Sequence, residues 1–246
     1  MATCALGRAP FCANNELTNF TREYGVLMRP FGFSTGSLAF GDFRRALKMM
    51  EGIPLDAVEL SALREDELHP LLDALASLEL ARFSHVSLHA PSRLDTVTEQ
   101  HLCKALADLD GKYPIVVHPD IIHDFSLWVP LGRSLLIENM DKRKNVGRTS
   151  DELSDIFAML PQARLCLDVG HSRQIDSSMF ETREILKRHA ERLAEIHLSD
   201  INSSCGHEPL NLAAVEAFQR VAALIPENIP IILETPVTLA APAAVP

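Results

Sequence analysis

The chain lacks every cysteine pattern that marks a disulfide framework or a structural zinc site. Its five cysteines, Cys4, Cys12, Cys103, Cys166 and Cys205, are odd in number and form no CxxC or zinc-finger spacing. They read as reduced thiols of a cytoplasmic protein. Long apolar runs are missing too. None approaches the ~20 residues that a bilayer crossing needs, and residues 1–20 contain no apolar signal core. The expectation is a soluble, cytoplasmic chain with no membrane partner. Positive charge is scarce, with 23 Lys and Arg against 33 Asp and Glu and a net charge of −10. Broad nucleic-acid binding needs Lys and Arg to neutralise phosphates, so this balance disfavours a nucleic-acid partner without excluding a local basic patch. No Gly-x-Gly-x-x-Gly follows the first strand candidate, which argues against an open dinucleotide-binding sheet. No low-complexity linker divides the chain, so a single domain is expected.

What is present is an alternation of short apolar runs and helical periods. Its 246 residues, 47% of them hydrophobic, suffice for a sizeable core without disulfides. Strand candidates are 31–36, 55–60, 85–89, 115–118, 134–138, 165–168, 194–198 and 231–234. Helices are expected over 42–50, 66–80, 96–109, 149–160, 179–193 and 212–224. The second of these carries Leu68, Leu71, Leu72, Leu75 and Leu78 at helical spacing. Thr149 and Glu152 have the spacing of a capping box. Gly32 and Gly36 read as points of close backbone approach, and Gly170 as the residue that lets the chain turn after Asp168. Eight short Val/Ile/Leu runs are what parallel strands covered on both faces look like. Together they predict an α/β chain of (β/α)8 barrel type. No room is left for a last helix. Residues 1–30 form an N-terminal extension with a weak helix candidate at 14–24. Residues 31–238 form the barrel domain and 239–246 a flexible tail.

Seven of these runs end in a residue that can ligate a metal: Glu59, His89, His118, Glu138, Asp168, His197 and Glu234. In a barrel all such ends meet at one mouth. His171 and His207, on the loops beyond their strands, can join them. Any one of these residues alone could simply terminate a strand. Carboxylates clustered among several imidazoles call for a cation, and this ligand set suits Mn, Zn or Fe as a divalent metal. Lys142 and Arg143, directly after the Glu138 strand, read either as a solvated loop or as a site for a phosphate group. Cys166, Met49 and Met50 read as core packing, and His69, His85, His101, His123 and His189 as surface or structural histidines. Glu59 reads as a carboxylate that orients a ligand histidine.

The motifs LHAP at 88–91, VVHP at 116–119, IEN at 137–139, LCLDVGH at 165–171, IHLSD at 196–200 and ILETP at 232–236 give a family resemblance. In this order the chain resembles the xylose isomerase-like barrel superfamily. Its members include sugar isomerases and epimerases and the type IV apurinic endonucleases. The epimerase branch implies one ion held by Glu138, Asp168, His197 and Glu234. Glu138 and Glu234 would then be the catalytic proton acceptor and donor, and His171 would bind a substrate hydroxyl. The expected function from this branch is isomerisation or epimerisation of a small-molecule sugar-like substrate. The endonuclease branch implies up to three ions. His89, His118 and Glu138 would hold one, Glu138 would bridge to a second on Asp168, His197 and Glu234, and His171 and His207 would hold a third. It makes a metal-dependent phosphodiester hydrolase the alternative.

Several departures bear on this choice. Asn202, Ser203 and Ser204 stand where the epimerases carry an arginine. Cys205 replaces an aspartate of the third endonuclease site, and Ser92 an aromatic that follows LHAP. Asn211 and Leu212 replace glycines usual after the 206–210 loop. A homo-oligomer is compatible with the sequence.

Overall fold

The computed structural model describes residues 29–237, so the readings for the N-terminal extension, its helix candidate at 14–24 and the tail lie outside the described residues. Its centre is a closed barrel of eight parallel strands. They are β1 (Phe31–Ser34), β2 (Ala57–Ser61), β3 (His85–His89), β4 (Ile115–Val117), β5 (Leu135–Glu138), β6 (Arg164–Asp168), β7 (Leu193–Leu198) and, last in the chain, β10 (Ile231–Leu233). Around the barrel the order is β1, β10, β7, β6, β5, β4, β3, β2. Between β7 and β10 the short pair β8 (Asp200–Ile201) and β9 (His207–Glu208) forms an antiparallel ribbon, which the sequence pattern did not disclose.

The strands form because short apolar runs can be buried on both faces. Val116, Leu136, Leu165, Leu167, Ile196 and Ile232 are all inaccessible to solvent. The helices outside cover the barrel with apolar stripes. Leu68, Leu71 and Leu75 of the expected leucine pattern are buried, and Leu72 and Leu78 pack partly buried against them. Fully burying each such side chain contributes about 1.5–3 kcal/mol. The close approach at β1 is severe: a Cβ on Gly32 would lie 1.7 Å from the carbonyl oxygen of Ala57.

Three expectations change. The run at 31–36 is strand only to Ser34, and Thr35–Ala39 is a helical turn. Residues 119–133, where no element is expected, contain a helix, Phe125–Trp128, between two 3-10 turns, and Trp128 itself is fully buried. A further helix, Val169–Ile175, begins directly after β6. Gly170 is therefore not a turn residue. It lies within that helix, where an added Cβ would meet the Ile201 side chain at 2.8 Å. Thr149 caps the helix Ser150–Met159 by accepting from Glu152 N, but the Glu152 carboxylate accepts from Arg148 N instead of closing the reciprocal bond. No helix follows β10 among the described residues, and none of their helices is long and apolar enough to cross a membrane.

Candidate metal centre

Side chains alternate across a strand, so every second residue of a barrel strand points inward. On β6 this selects Cys166 and Asp168, on β7 Glu195 and His197, on β3 His85, Ser87 and His89, and on β2 Glu59 and Ser61. The register sets Asp168 beside His197 and Cys166 beside Glu195. The C-terminal ends of these strands share one mouth. There the structure brings together eight of the predicted residues: His89, His118, Glu138, Asp168, His171, His197, His207 and Glu234.

Glu138 is at the centre. Its Oε2 lies 3.2 Å from His89 Nε2 and 3.0 Å from His118 Nε2. Its Oε1 faces His171 Nδ1 at 3.2 Å and His197 Nδ1 at 3.5 Å, yet makes no hydrogen bond of good geometry. Glu234 Oε2 reaches His197 Nδ1 at 3.3 Å and His207 Nε2 at 3.9 Å. Asp168 divides its labour: Oδ1 accepts from His171 N at 2.6 Å and so caps the helix Val169–Ile175, leaving Oδ2 buried and unpartnered. Asn139 ties β5 to β6 at this point. Its amide donates to Asp168 O and Ser172 Oγ, and its oxygen accepts from Asp168 N.

The electrostatics call for positive charge. His89 donates from Nδ1 to the carbonyl of Ala90 at 2.7 Å, which in a neutral ring leaves Nε2 bare and facing a carboxylate oxygen. Two acceptors in contact repel unless a proton or a cation lies between them. Without a cation, protons take that part. Burial pushes His89 and His171 down, but the carboxylates around them, Glu59, Glu138 and Glu234 for His89 and Asp168, Glu138 and Glu234 for His171, raise them to about 9 and about 10. Burial, with the charges of Glu138 and Glu234, pushes Asp168 up to about 6 despite nearby His171. His118 moves the other way, lowered by burial.

A divalent ion fits the donor set. Glu138, Asp168, His197 and Glu234 each offer one atom such that all four lie within 4.8 Å of one another, and His89, His118 and Glu138 form a second such group. Glu138 belongs to both. Four side-chain atoms of these residues, Glu138 Oε1, Asp168 Oδ2, His197 Nδ1 and His118 Nδ1, are buried without a hydrogen-bond partner. Burying such atoms unpaired is costly, and metal coordination is one way to satisfy them.

The third group implied by the endonuclease resemblance is not assembled in the same way. The rings of His171 and His207 lie 6.0 Å apart, centre to centre. Cys205, however, donates its thiol to Gln174 Oε1 at 2.7 Å, and it joins none of the ligand groups found among the described residues.

The basic loop after Glu138 is largely engaged. Arg143 pairs with the buried Asp141 and donates to Ser204 O, Lys144 pairs with Asp120, and Arg148 pairs with Glu152. Lys142 is exposed and takes part in none of these pairs.

Below the mouth lies a polar layer that the strand-end reading only touched. Glu59 lies near His197, with Oε2 at 3.1 Å from Nε2 but in no hydrogen bond of good geometry. Glu195, fully buried, was missed, although its place two residues before His197 on one strand puts both on the inward face. Its Oε1 accepts from His197 Nε2 at 3.1 Å and from Ser87 Oγ at 3.1 Å, and its Oε2 pairs with His85. Burial would push its carboxyl up, but the hydrogen bonds from His197 and His85 hold it at about 2. Asp141, buried beside His171, was likewise not singled out.

Comparison with models of known families gives no match, and neither does comparison with curated proteins. Solved structures do match. Endonuclease IV from Thermus thermophilus superposes with a TM-score of 0.53 at 18% identity, covering 86% of this chain and 93% of that one. A putative sugar phosphate isomerase/epimerase from Anabaena variabilis gives 0.55 at 13% identity, covering 85% and 84%. A xylose isomerase domain-containing protein from Salmonella typhimurium gives 0.50 at 15% identity, covering 82% and 87%. At these identities the likeness is one of fold, and the chain has a (β/α)8 barrel fold.

Proposed function

We propose that this chain is a hydrolase of small phosphoesters that works with two divalent ions sharing Glu138. The observation that carries this reading is the position of Glu138, whose two oxygens serve two adjacent ligand groups. His89 and His118 would hold one ion with Glu138; Asp168, His197 and Glu234 would hold the other. Bound there, the pair would supply Lewis-acid polarisation of a phosphoryl oxygen and an activated water. The chain's own residues would do the rest. His171 donates from Nδ1 to Asn139 O, so its Nε2, 3.8 Å from Asp141 Oδ2, would be the nitrogen that meets a substrate oxygen. His207, partly exposed and steadied by Ser199 Oγ at 3.0 Å, stands where a leaving group could take a proton. A small substrate is favoured over a duplex because Arg143, Lys144 and Arg148 on the rim already hold acidic partners.

The sequence favoured proton transfer by Glu138 and Glu234 on a sugar, and this stays as the second reading. It draws on the set Glu138, Asp168, His197 and Glu234, which is complete by itself. Against it, His118 and the other imidazoles around Glu138 hold that carboxylate well below its usual range despite its burial. Such a group is a weak proton acceptor.

The deciding experiment combines elemental analysis of zinc- or manganese-loaded protein with two assays. Two ions per chain and cleavage of bis(p-nitrophenyl) phosphate, lost in Glu138→Gln, are expected. A single ion, with solvent deuterium entering members of a sugar panel, would replace this reading by the second.

A further inference from the structure

We propose that Glu195 is a positioning residue for the metal centre, fixing His197 with its proton on Nε2 and its Nδ1 bare. This rests on the reading of the mouth as a metal centre and adds a residue that the strand-end pattern does not contain.

A neutral imidazole carries one proton, and the partner of one nitrogen decides which nitrogen is left to bind a metal. His197 Nε2 has two carboxylates at 3.1 Å, Glu195 Oε1 and Glu59 Oε2. Only the first is a hydrogen bond of good geometry. Glu59 Oε2 is left without a partner, while Glu59 Oε1 accepts from Ser61 Oγ at 3.2 Å. Glu195 Oε1 accepts from Ser87 Oγ as well, so it is the acceptor toward His197 too, and the proton of His197 belongs on Nε2. The other nitrogen, Nδ1, is buried, unpartnered and directed at Glu138 and Glu234.

Glu195 is itself held from across the barrel. β3 and β7 are four strands apart in a ring of eight, and so face each other across the interior. The bonds from His85 and Ser87 to Glu195 therefore span the barrel as a strut. Its far end, His85, starts β3 at the face opposite the mouth, and its side chain is 17% exposed. His85 thus has a partner that a surface or structural reading of the residue did not assign. A carboxylate anchored on three sides has little freedom to swing. It transmits that rigidity to the His197 ring, which among the described residues has no other hydrogen bond of good geometry through its ring nitrogens to another side chain's oxygen or nitrogen.

The test uses Glu195→Leu, Glu195→Gln and His85→Ala. Three quantities are read: the tautomer of His197 by long-range proton–nitrogen spectra of metal-free protein at a pH where the ring is neutral, zinc affinity by chelator competition, and the metal-free thermal midpoint. For Glu195→Leu the exclusive Nε2–H form gives way to a mixture and zinc affinity falls by about 10–100-fold. The midpoint falls together with the affinity, because removing one partner leaves His197, His85 and Ser87 without their shared acceptor. Glu195→Gln keeps an acceptor oxygen and rescues most of the tautomer and the affinity. His85→Ala, which touches no ligand, gives a smaller loss of the same sign and serves as the reading if Glu195→Leu does not fold. Wild-type tautomer and affinity in Glu195→Leu, or in His85→Ala where only that variant folds, would overturn the proposal. So would a lowered midpoint with affinity intact, the mark of a merely structural residue. If the wild-type protein binds no zinc, the metal-centre reading fails, and the tautomer comparison still decides what Glu195 does.

Discussion

Glu138 has two carboxylate oxygens, and each faces its own pair of imidazoles: Oε2 faces His89 and His118, Oε1 faces His171 and His197. The two sets of contacts are not equivalent when a side chain is removed. Glu138→Gln withdraws an anionic oxygen from both ligand groups, so the variant is expected to lose both ions. His118→Ala touches only the first group and is expected to retain the ion on Asp168, His197 and Glu234. Elemental analysis of the two variants after identical loading checks this. Equal metal contents in them would remove the case for a shared carboxylate. At this scale the sequence was informative wherever a residue able to ligate a metal ended a strand. It was silent on Glu195 and Asn139, because both act through another residue and neither is a strand-terminal ligand. Glu195 is recoverable from period two on β7; Asn139 is not, since its partners Asp168 and Ser172 lie 29 and 33 residues away.

Elements are laced together around the rim by carboxylates from the first turns of helices. Glu65 starts the helix after β2 and catches the loop after β3, accepting from the backbone N–H groups of Asp95, Thr96 and Val97 and from Thr96 Oγ1. Glu99 starts the helix after β3 and catches the next loop, accepting from His123 N, Asp124 N and the indole of Trp128. Glu181, near the start of a later helix, accepts from Ser150 N. Removing Glu99 strands the buried indole N–H of Trp128, so Glu99→Ala should lower stability by about 1–3 kcal/mol in denaturant titration. Glu65 carries a pH signature. The Thr96 hydroxyl, with the three backbone donors, lowers its carboxyl from 4.5 to about 2 against the opposing effect of desolvation. A group with a depressed folded-state value stabilises above its unfolded value and loses that contribution as pH falls through the folded one. The midpoint advantage of wild type over Glu65→Gln should therefore be full at neutral pH, shrink below about pH 4.5 and vanish near pH 2. An advantage that does not change with pH would show that the charge on Glu65 plays no part. The strands and main helices that these latches connect were legible from apolar spacing. The latches were not, because they join residues 24 to 32 positions apart. The helix Val169–Ile175 was hidden for another reason. It starts directly after the strand's last residue, so Asp168 ends β6 and caps the helix at once.

At the scale of the whole molecule, barrel closure turns a one-dimensional pattern into a charged interior. Glu138, Asp168 and Glu234 are each at most 3% exposed and come from three different strand ends. Like charges this close, removed from water, oppose folding unless something positive accompanies them. In metal-free protein the raised imidazoles supply part of that charge. A cation that binds the closed barrel and not the unfolded chain must then stabilise the fold by mass action. At 100 times the dissociation constant the gain is about 2.7 kcal/mol for one site, and about 2–4 °C accompanies each kcal/mol in domains of this size. Zinc or manganese at that excess should therefore raise the midpoint by roughly 5–11 °C, and a chelator should reverse the rise. Asp168→Asn offers the control. It keeps an oxygen to cap the helix at His171 but removes a charge from the ligand group, so its own midpoint should hold or rise while its response to metal shrinks. A full metal response in Asp168→Asn, or none in wild type, would place the source of the stability elsewhere than in this cluster.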